Sequence, residues 1–416
     1  MTGSGIFLLP AAIAAFGGIS IFGWLFTTIG AIFIALVFSR LSRIVSSAGG
    51  PYAYTREGFG DFPAFLVTWG YWISIWCGNA AIAVASVGYL SFLFPALKEN
   101  PLFSALLSIA AIWFFTIVNT RSIKSVSKVQ IITTVLKIIP LILLGTIGFL
   151  HFNPDHFTPL NMSGLTNYNA ITATASLTLW AFLGLESATI PSDKVHEPKK
   201  TIPRATIAGL LIAAVLYISS NTAILGIINP IDLQQSTAPF ADAAELAWGK
   251  IAAQLIAVGA VISCYGALNG WILLQGQLPM AAAIDKLFPP VFTKTSKTGI
   301  PIIGLIIASA LASILVIMNY TKGLVAMFSF IIMLATLTCL LPYVLTSISE
   351  LLIYLRGRRP FTKKQMIATI LVSIPAFVYS MWAVIGLGLE IIGWGVLLLI
   401  LGIPFYFAHR RKAKVR

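Results

Sequence analysis

The chain has 416 residues, of which 58% are hydrophobic and only 10% charged; it carries a net charge of +14 and a mean hydropathy of +0.92. Soluble domains carry roughly 25% charged residues, so the composition excludes a soluble enzyme or binding module and defines a polytopic membrane protein. In a soluble protein the positive charge would suggest nucleic acid; here it sits in short loops between apolar stretches, so no nucleic-acid partner is expected. The three cysteines, Cys77, Cys264 and Cys339, lie in apolar segments with no disulfide framework or metal spacing. No metal or cofactor is expected, and no cleavable signal peptide is read at Met1.

A membrane span needs about 20 apolar residues. Apolar spans are read at 6–16 (incomplete), 18–39, 63–95, 102–119, 129–150, 168–190, 204–228, 251–284, 300–318, 323–349, 365–386 and 389–408, twelve in all. All but four of the 27 basic residues fall in loops after even-numbered spans or in the tail; the exceptions are Lys98, Lys137, Lys250 and Lys322. The positive-inside rule therefore places those loops and the C-terminus in the cytoplasm, in a cytoplasmic (inner) membrane.

The first span opens on Gly3-Ser4-Gly5 with Pro10 soon after, and the sixth carries Gly184 with Pro191 soon after. Each glycine costs about 1 kcal/mol against alanine in a helix interior. Two interrupted hydrophobic segments five spans apart, hence crossing in opposite directions, are the sequence pointer to an inverted-repeat transporter. Residues 1–150 are read as the first repeat (spans 1–5), 165–355 as the second (spans 6–10), and 365–416 as an added pair with a basic tail. Free backbone groups of Gly3 to Gly5 are expected to bind a ligand.

Among thirteen acidic residues, Glu186 is read as the one deep in a span. An ionisable residue there is a functional hypothesis by default, as a proton carrier or a hydrogen-bonding carboxyl; the competing reading is a structural carboxyl that holds an unwound segment. Lys137 is the second charge within a span. Its ammonium can stand where a sodium ion would otherwise bind carbonyls, or it can serve as a fixed counter-ion. Trp180 precedes the break in the sixth span, Trp271 lies mid-span, and Tyr71 and Trp72 open a polar-flecked run through Asn79. An aromatic floor with an amide suits an amine or guanidinium through cation–π contact, although packing or interfacial anchoring explains any single tryptophan better. No paired carboxylates or nucleophile–base set suggest an enzyme, and no charge ring or repeated filter suggests a channel.

At Gly3-Ser4-Gly5-Ile6-Phe7, at Gly49-Gly50-Pro51-Tyr52-Ala53-Tyr54, at Trp180-Ala181-Phe182-Leu183-Gly184-Leu185-Glu186 and at Glu197-Pro198-Lys199-Lys200, the chain resembles the amino acid–polyamine–organocation superfamily of transporters. Within it the resemblance is closest to the basic amino acid/polyamine antiporters, and it covers essentially the whole chain. It implies an all-α LeuT-type fold of two inverted five-helix repeats plus two helices, and a homodimer. It implies that Ser4, Gly5 and neighbouring amides hold a substrate carboxylate, that Trp271 stacks on the substrate side chain, that Asn79 contacts its polar head, and that Trp180 closes over it. Tyr71, Glu186 and Tyr343 match the family's inner gate.

Ala335 and Ile82 depart from the pattern near the side-chain end of that site, which puts arginine as substrate in doubt. Lys137 is the larger departure, since it resembles the proton-coupled permeases of the superfamily. The expectation is exchange of an amino acid for its decarboxylated amine by alternating access, with proton-coupled symport through Lys137 as the alternative and a channel or receptor-like protein as a further one. Only Met1 and Thr2 precede the glycine motif, where the family has half a helix. Met1 is thus expected to be an internal methionine or the chain to be truncated, and the 416-residue form is expected to leak or fail to transport.

Overall fold

The computed structural model describes residues 5–45, 49–120, 137–189, 195–296, 299–357 and 362–414, and among them every regular element is helical. In chain order these are α1 (Gly5–Ala14), α2 (Ser20–Ile44), α3 (Pro51–Phe59), α4 (Asp61–Leu93), α5 (Ala96–Glu99), α6 (Pro101–Asn119), α7 (Lys137–His151, ending in a 3-10 turn) and α8 (Asn167–Phe182). They continue with α9 (Pro198–Ile227), α10 (Pro230–Leu233), α11 (Pro239–Trp248), α12 (Lys250–Ile284), α13 (Ile302–Asn319), α14 (Leu324–Leu355), α15 (Lys363–Gly386) and α16 (Leu389–Lys414). Gly3, Ser4, Pro191 and the first part of the fifth span lie outside the described residues.

Among the described residues nine helices are long and apolar enough to cross a membrane. The other three spans read from sequence correspond to the shorter helices α1, α7 and α8. Helix starts follow local chemistry. Pro101 stands at the first position of α6, where its missing N–H costs nothing, and the Asn100 side chain accepts from Phe103 N. Thr362 and Gln365 form a capping box at α15.

Two helix ends correct the sequence reading. α2 continues to Ile44 and α14 to Leu355, beyond the spans ending at 39 and 349. The extension buries Glu350 completely near the end of α14, so Glu186 is not the only fully buried carboxyl among the described residues. The cause is a partner: Arg40 donates through Nε at 2.8 Å and Nη2 at 2.7 Å to the Glu350 carboxylate, and both bond Thr369 on α15. A paired charge tolerates burial that a lone one does not.

α4 is buried along nearly its whole length and packs against α12 and α14, whereas α6, α15 and α16 are mostly exposed. The exposed faces carry large apolar side chains, among them Phe103, Phe114, Leu371, Val378, Leu397 and Leu401. In water a patch above a few hundred Å² marks a docking site; repeated around the bundle, it is a lipid-facing surface. This is a multi-pass, all-helical membrane protein.

At the basic end of the bundle, α3 is strapped across two helices. Tyr52 Oη donates to Asp285 at 2.6 Å, Arg56 reaches the same carboxylate at 3.3 Å, and Arg356 donates to the Gly58 carbonyl at 2.5 Å. Burial, followed by the Asp285 contact, pushes the Tyr52 hydroxyl above its ordinary range. At the opposite end α11 covers α1: Tyr89 donates to the Phe7 carbonyl at 2.7 Å and accepts from Phe240 N at 3.2 Å.

Candidate functional site

The site is built on a helix that stops in mid-bundle. α8 ends at Phe182, Leu183 is extended, and Gly184 takes φ +96°. That left-handed region favours glycine, and it turns the Gly184 N–H onto Glu186, 3.2 Å from each carboxylate oxygen. Ser187 Oγ donates to the Gly184 carbonyl at 2.5 Å and Thr189 Oγ1 to the Glu186 carbonyl at 2.6 Å. Broken backbone survives at membrane depth where such groups are satisfied by protein.

Glu186 is fully buried. Tyr71 of α4 donates to its Oε1 at 2.6 Å and Tyr343 of α14 to its Oε2 at 2.6 Å. With Gly184 N, every partner is a donor and both oxygens act as acceptors. The carboxylate therefore joins the broken segment to two long helices.

Beside this joint lies a small cavity of about 40 Å³, walled by Gly5 and Ile6 of α1, by Tyr71, Ser74, Ile75, Gly78 and Ile82 of α4, by Trp180, Ala181, Leu183 and Glu186, by Trp271 of α12 and by Cys339 of α14. It has room for roughly three waters at ~10–15 Å³ each and not for an amino acid. The indole of Trp180 is what fills the space: a Cβ on Gly5 would overlap its Nε1, and one on Gly78 would lie 2.9 Å from its Cη2. Trp180 Nε1 is buried with no hydrogen-bond partner among the described residues. A larger cavity of about 680 Å³ between α4, α13 and α16 has a predominantly apolar wall without any titratable group.

Of the residues singled out from sequence, the cavity gathers Gly5, Ile82, Trp180, Trp271, Tyr71 and Glu186, with Tyr343 bonded to Glu186. Gly3 and Ser4 lie outside the described residues. Ala335 is buried one helical turn before Cys339, and Asn79 is buried beside Gly78 with its Nδ2 held 2.7 Å from Gln275 Oε1; neither contributes to the cavity wall. Lys137, 2% exposed on α7, stands apart from it. Ser74, Ile75 and Cys339 line the cavity without having been anticipated; Ser74 and Ile75 sit at helical spacing from Tyr71 and Gly78, which would have found them. Gln275 was also missed, though a carboxamide within a 35-residue apolar helix is itself a signal.

A bundle with a lipid-facing surface and a small, partly polar cavity at the break of a helix has the arrangement of a membrane transporter. The amino acid permease family model matches residues 1–408, and the chain belongs to that family. It is 32% identical over 407 residues to the putrescine transporter PotE of Haemophilus influenzae, covering 98% of this chain and 93% of that one. It is 36% identical over 351 residues to the cadaverine/lysine antiporter of Escherichia coli, covering 82% and 78%. To the putrescine transporter PotE of Escherichia coli it is 31% identical over 407 residues, covering 98% and 92%.

Proposed function

We propose that the protein exchanges an amino acid with a cationic side chain for a decarboxylated amine across the cytoplasmic membrane. The carrying observation is the cavity walled by two indoles, Trp180 and Trp271, with Gly5 pressed on the unpartnered Trp180 Nε1. The Trp180 Nε1–H and backbone amides near Gly5 are donors for a carboxylate. The indole faces suit the cationic end, since a desolvated cation–π contact contributes about 2 kcal/mol or more. Trp180 occupies the space a substrate needs, so it swings aside on binding, and Glu186 holds the inner gate with Tyr71 and Tyr343. The relatives named above, two putrescine transporters and a cadaverine/lysine antiporter, support the same substrate class.

The glycine motif Gly3-Ser4-Gly5 in the sequence and the break at Leu183 to Glu186 support division into two inverted repeats, 1–150 and 165–355, with 365–416 added. The distribution of basic residues supports a cytoplasmic C-terminus. A homodimer belongs to the same proposal, and the mass of the detergent-solubilised particle tests it. The test of function is thermal unfolding of the purified protein against a panel of amino acids and diamines. A specific ligand at a hundred times its Kd stabilises the folded state by about 2.7 kcal/mol. A shift with cationic amino acids or diamines, lost in Trp271→Ala, is expected; no shift with any of them contradicts the reading.

One observation favours a second reading. Lys137 is buried in the bundle near Cys264 of α12, with apolar residues on both sides of it in sequence. We infer that, if protons drive uptake, they pass through this ammonium. Proton-driven uptake into liposomes that persists in Lys137→Ala would remove this role.

A further inference from the structure

Gln275 is fully buried on α12, one turn beyond Trp271, and the protons along its contacts are fixed from two directions. Thr116 Oγ1 donates its one proton to the Ile112 carbonyl at 2.7 Å, so it accepts in its 2.6 Å contact with Ser309. Ser309 Oγ has then committed its proton to Thr116 and accepts from Gln275 at 2.7 Å, which makes that atom the amide nitrogen. The Leu305 carbonyl, which only accepts, lies 3.2 Å from the same nitrogen and requires the same orientation.

The Gln275 carbonyl oxygen is thereby turned to Asn79 at 2.7 Å, and Asn79 meets it with its NH2 group. Asn79 Oδ1 points the other way. It is buried and has no hydrogen-bond partner among the described residues. Leaving an amide oxygen buried and unpaired is costly unless a ligand uses it. Asn79 lies four residues after Ile75 and three before Ile82, both in the cavity wall, so it flanks the face of α4 that lines the cavity.

We propose that Gln275 is a specificity-determining positioning residue: it locks the Asn79 amide so that the site presents an acceptor, which selects a side chain ending in an ammonium group over the same chain ending in a methyl. This rests on the transport reading above. Freed of Gln275, the Asn79 amide can rotate and offer either end, and the selection is lost. A site built to hydrogen-bond a substrate group rejects an analogue lacking it far more strongly than an apolar pocket rejects a missing methylene.

The experiment measures half-saturation for lysine against norleucine, and for ornithine against norvaline, in proteoliposomes carrying wild type, Gln275→Met or Gln275→Glu. Methionine fills the space without holding Asn79, whereas a glutamate carboxyl, with its O–H donating toward Leu305 and Ser309, keeps a carbonyl acceptor facing it. Gln275→Met is expected to lower the preference for the cationic member by about tenfold or more, with half-saturation for the neutral member unchanged. Gln275→Glu is expected to keep the preference within about twofold. An unchanged preference in Gln275→Met, or equal loss in both variants, overturns the assignment. Should Gln275→Met not fold, Asn79→Leu decides: it is expected to abolish the preference and improve the neutral member, and retention of the preference overturns the proposal. Wild type that takes up neither member of either pair saturably contradicts the transport reading itself, and with it this one.

Discussion

Tyr71 and Glu186, 115 positions apart in sequence, meet hydroxyl to carboxylate at 2.6 Å, and Tyr343 makes the matching contact on the other oxygen. Hydrogen bonds to charged groups contribute about 1.5–3 kcal/mol each. Tyr71→Phe and Tyr343→Phe are each expected to destabilise the protein within that range and to slow exchange. Because both bond one carboxylate, the double variant should depart from additivity. Thermal unfolding of the three variants beside wild type measures this; strictly additive losses would contradict a shared joint.

Gly5 and Trp180 share one space, so a single added methyl decides whether both fit. Gly5→Ala is expected to displace the indole and cut exchange by about tenfold or more, as misplacement by about 1 Å can cost a hundredfold. Trp180→Phe, a smaller ring, should recover part of the lost stability when added to Gly5→Ala. Wild-type exchange by Gly5→Ala alone would show that Trp180 does not pack on α1 during transport.

Arg40 and Glu350 form a bidentate pair with one side fully buried. Glu350→Leu leaves the partly exposed guanidinium without its partner and is expected to cost about 1.5–3 kcal/mol, the range of a hydrogen bond to a charged group. Arg40→Lys keeps the charge and loses the fork, so it should fall between that variant and wild type. Unfolding midpoints order the three; equal stability of Glu350→Leu and wild type would remove the structural role given to the pair.

This pair shows where the chain was readable and where it was not. Hydropathy locates the nine long apolar helices found among the described residues, and the glycine in the sixth span marks the helix break beside Trp180 and Glu186, because both are properties of contiguous sequence. Glu350 was left outside a span because hydropathy falls as charges enter, although the helix continues while its carboxylate finds Arg40 more than 300 positions away. Gln275 escaped for a related reason: a neutral amide barely disturbs hydropathy, and its importance lies in Ser309, Leu305 and Asn79 on other helices. Trp72, grouped with Tyr71 by proximity, instead donates to the Gln275 backbone carbonyl at 3.0 Å and faces the apolar cavity, since the two residues project from different sides of α4.

Asp242 on α11, outside the spans, carries a pH prediction. Burial, countered by the Ser236 hydrogen bond and by Lys98 and reinforced by Glu245, holds its carboxyl above the ordinary value of 3.8. A raised acid pKa means that the folded state binds the proton more readily than the unfolded one. The resulting stability is full below 3.8 and fades as pH rises through the folded value. Asp242→Asn is therefore expected to be more stable than wild type at neutral pH, the gap closing on acidification. Unfolding scans across pH check this; a gap that widens toward acid would reverse the sign.

Obligatory exchange is tested most directly by counterflow in proteoliposomes holding the purified protein. Labelled lysine loaded inside is expected to leave only when a cationic amino acid or diamine is supplied outside, at a rate that saturates and that falls in Trp271→Ala. Efflux into buffer alone at the same rate, or flux rising linearly with concentration, would contradict the account.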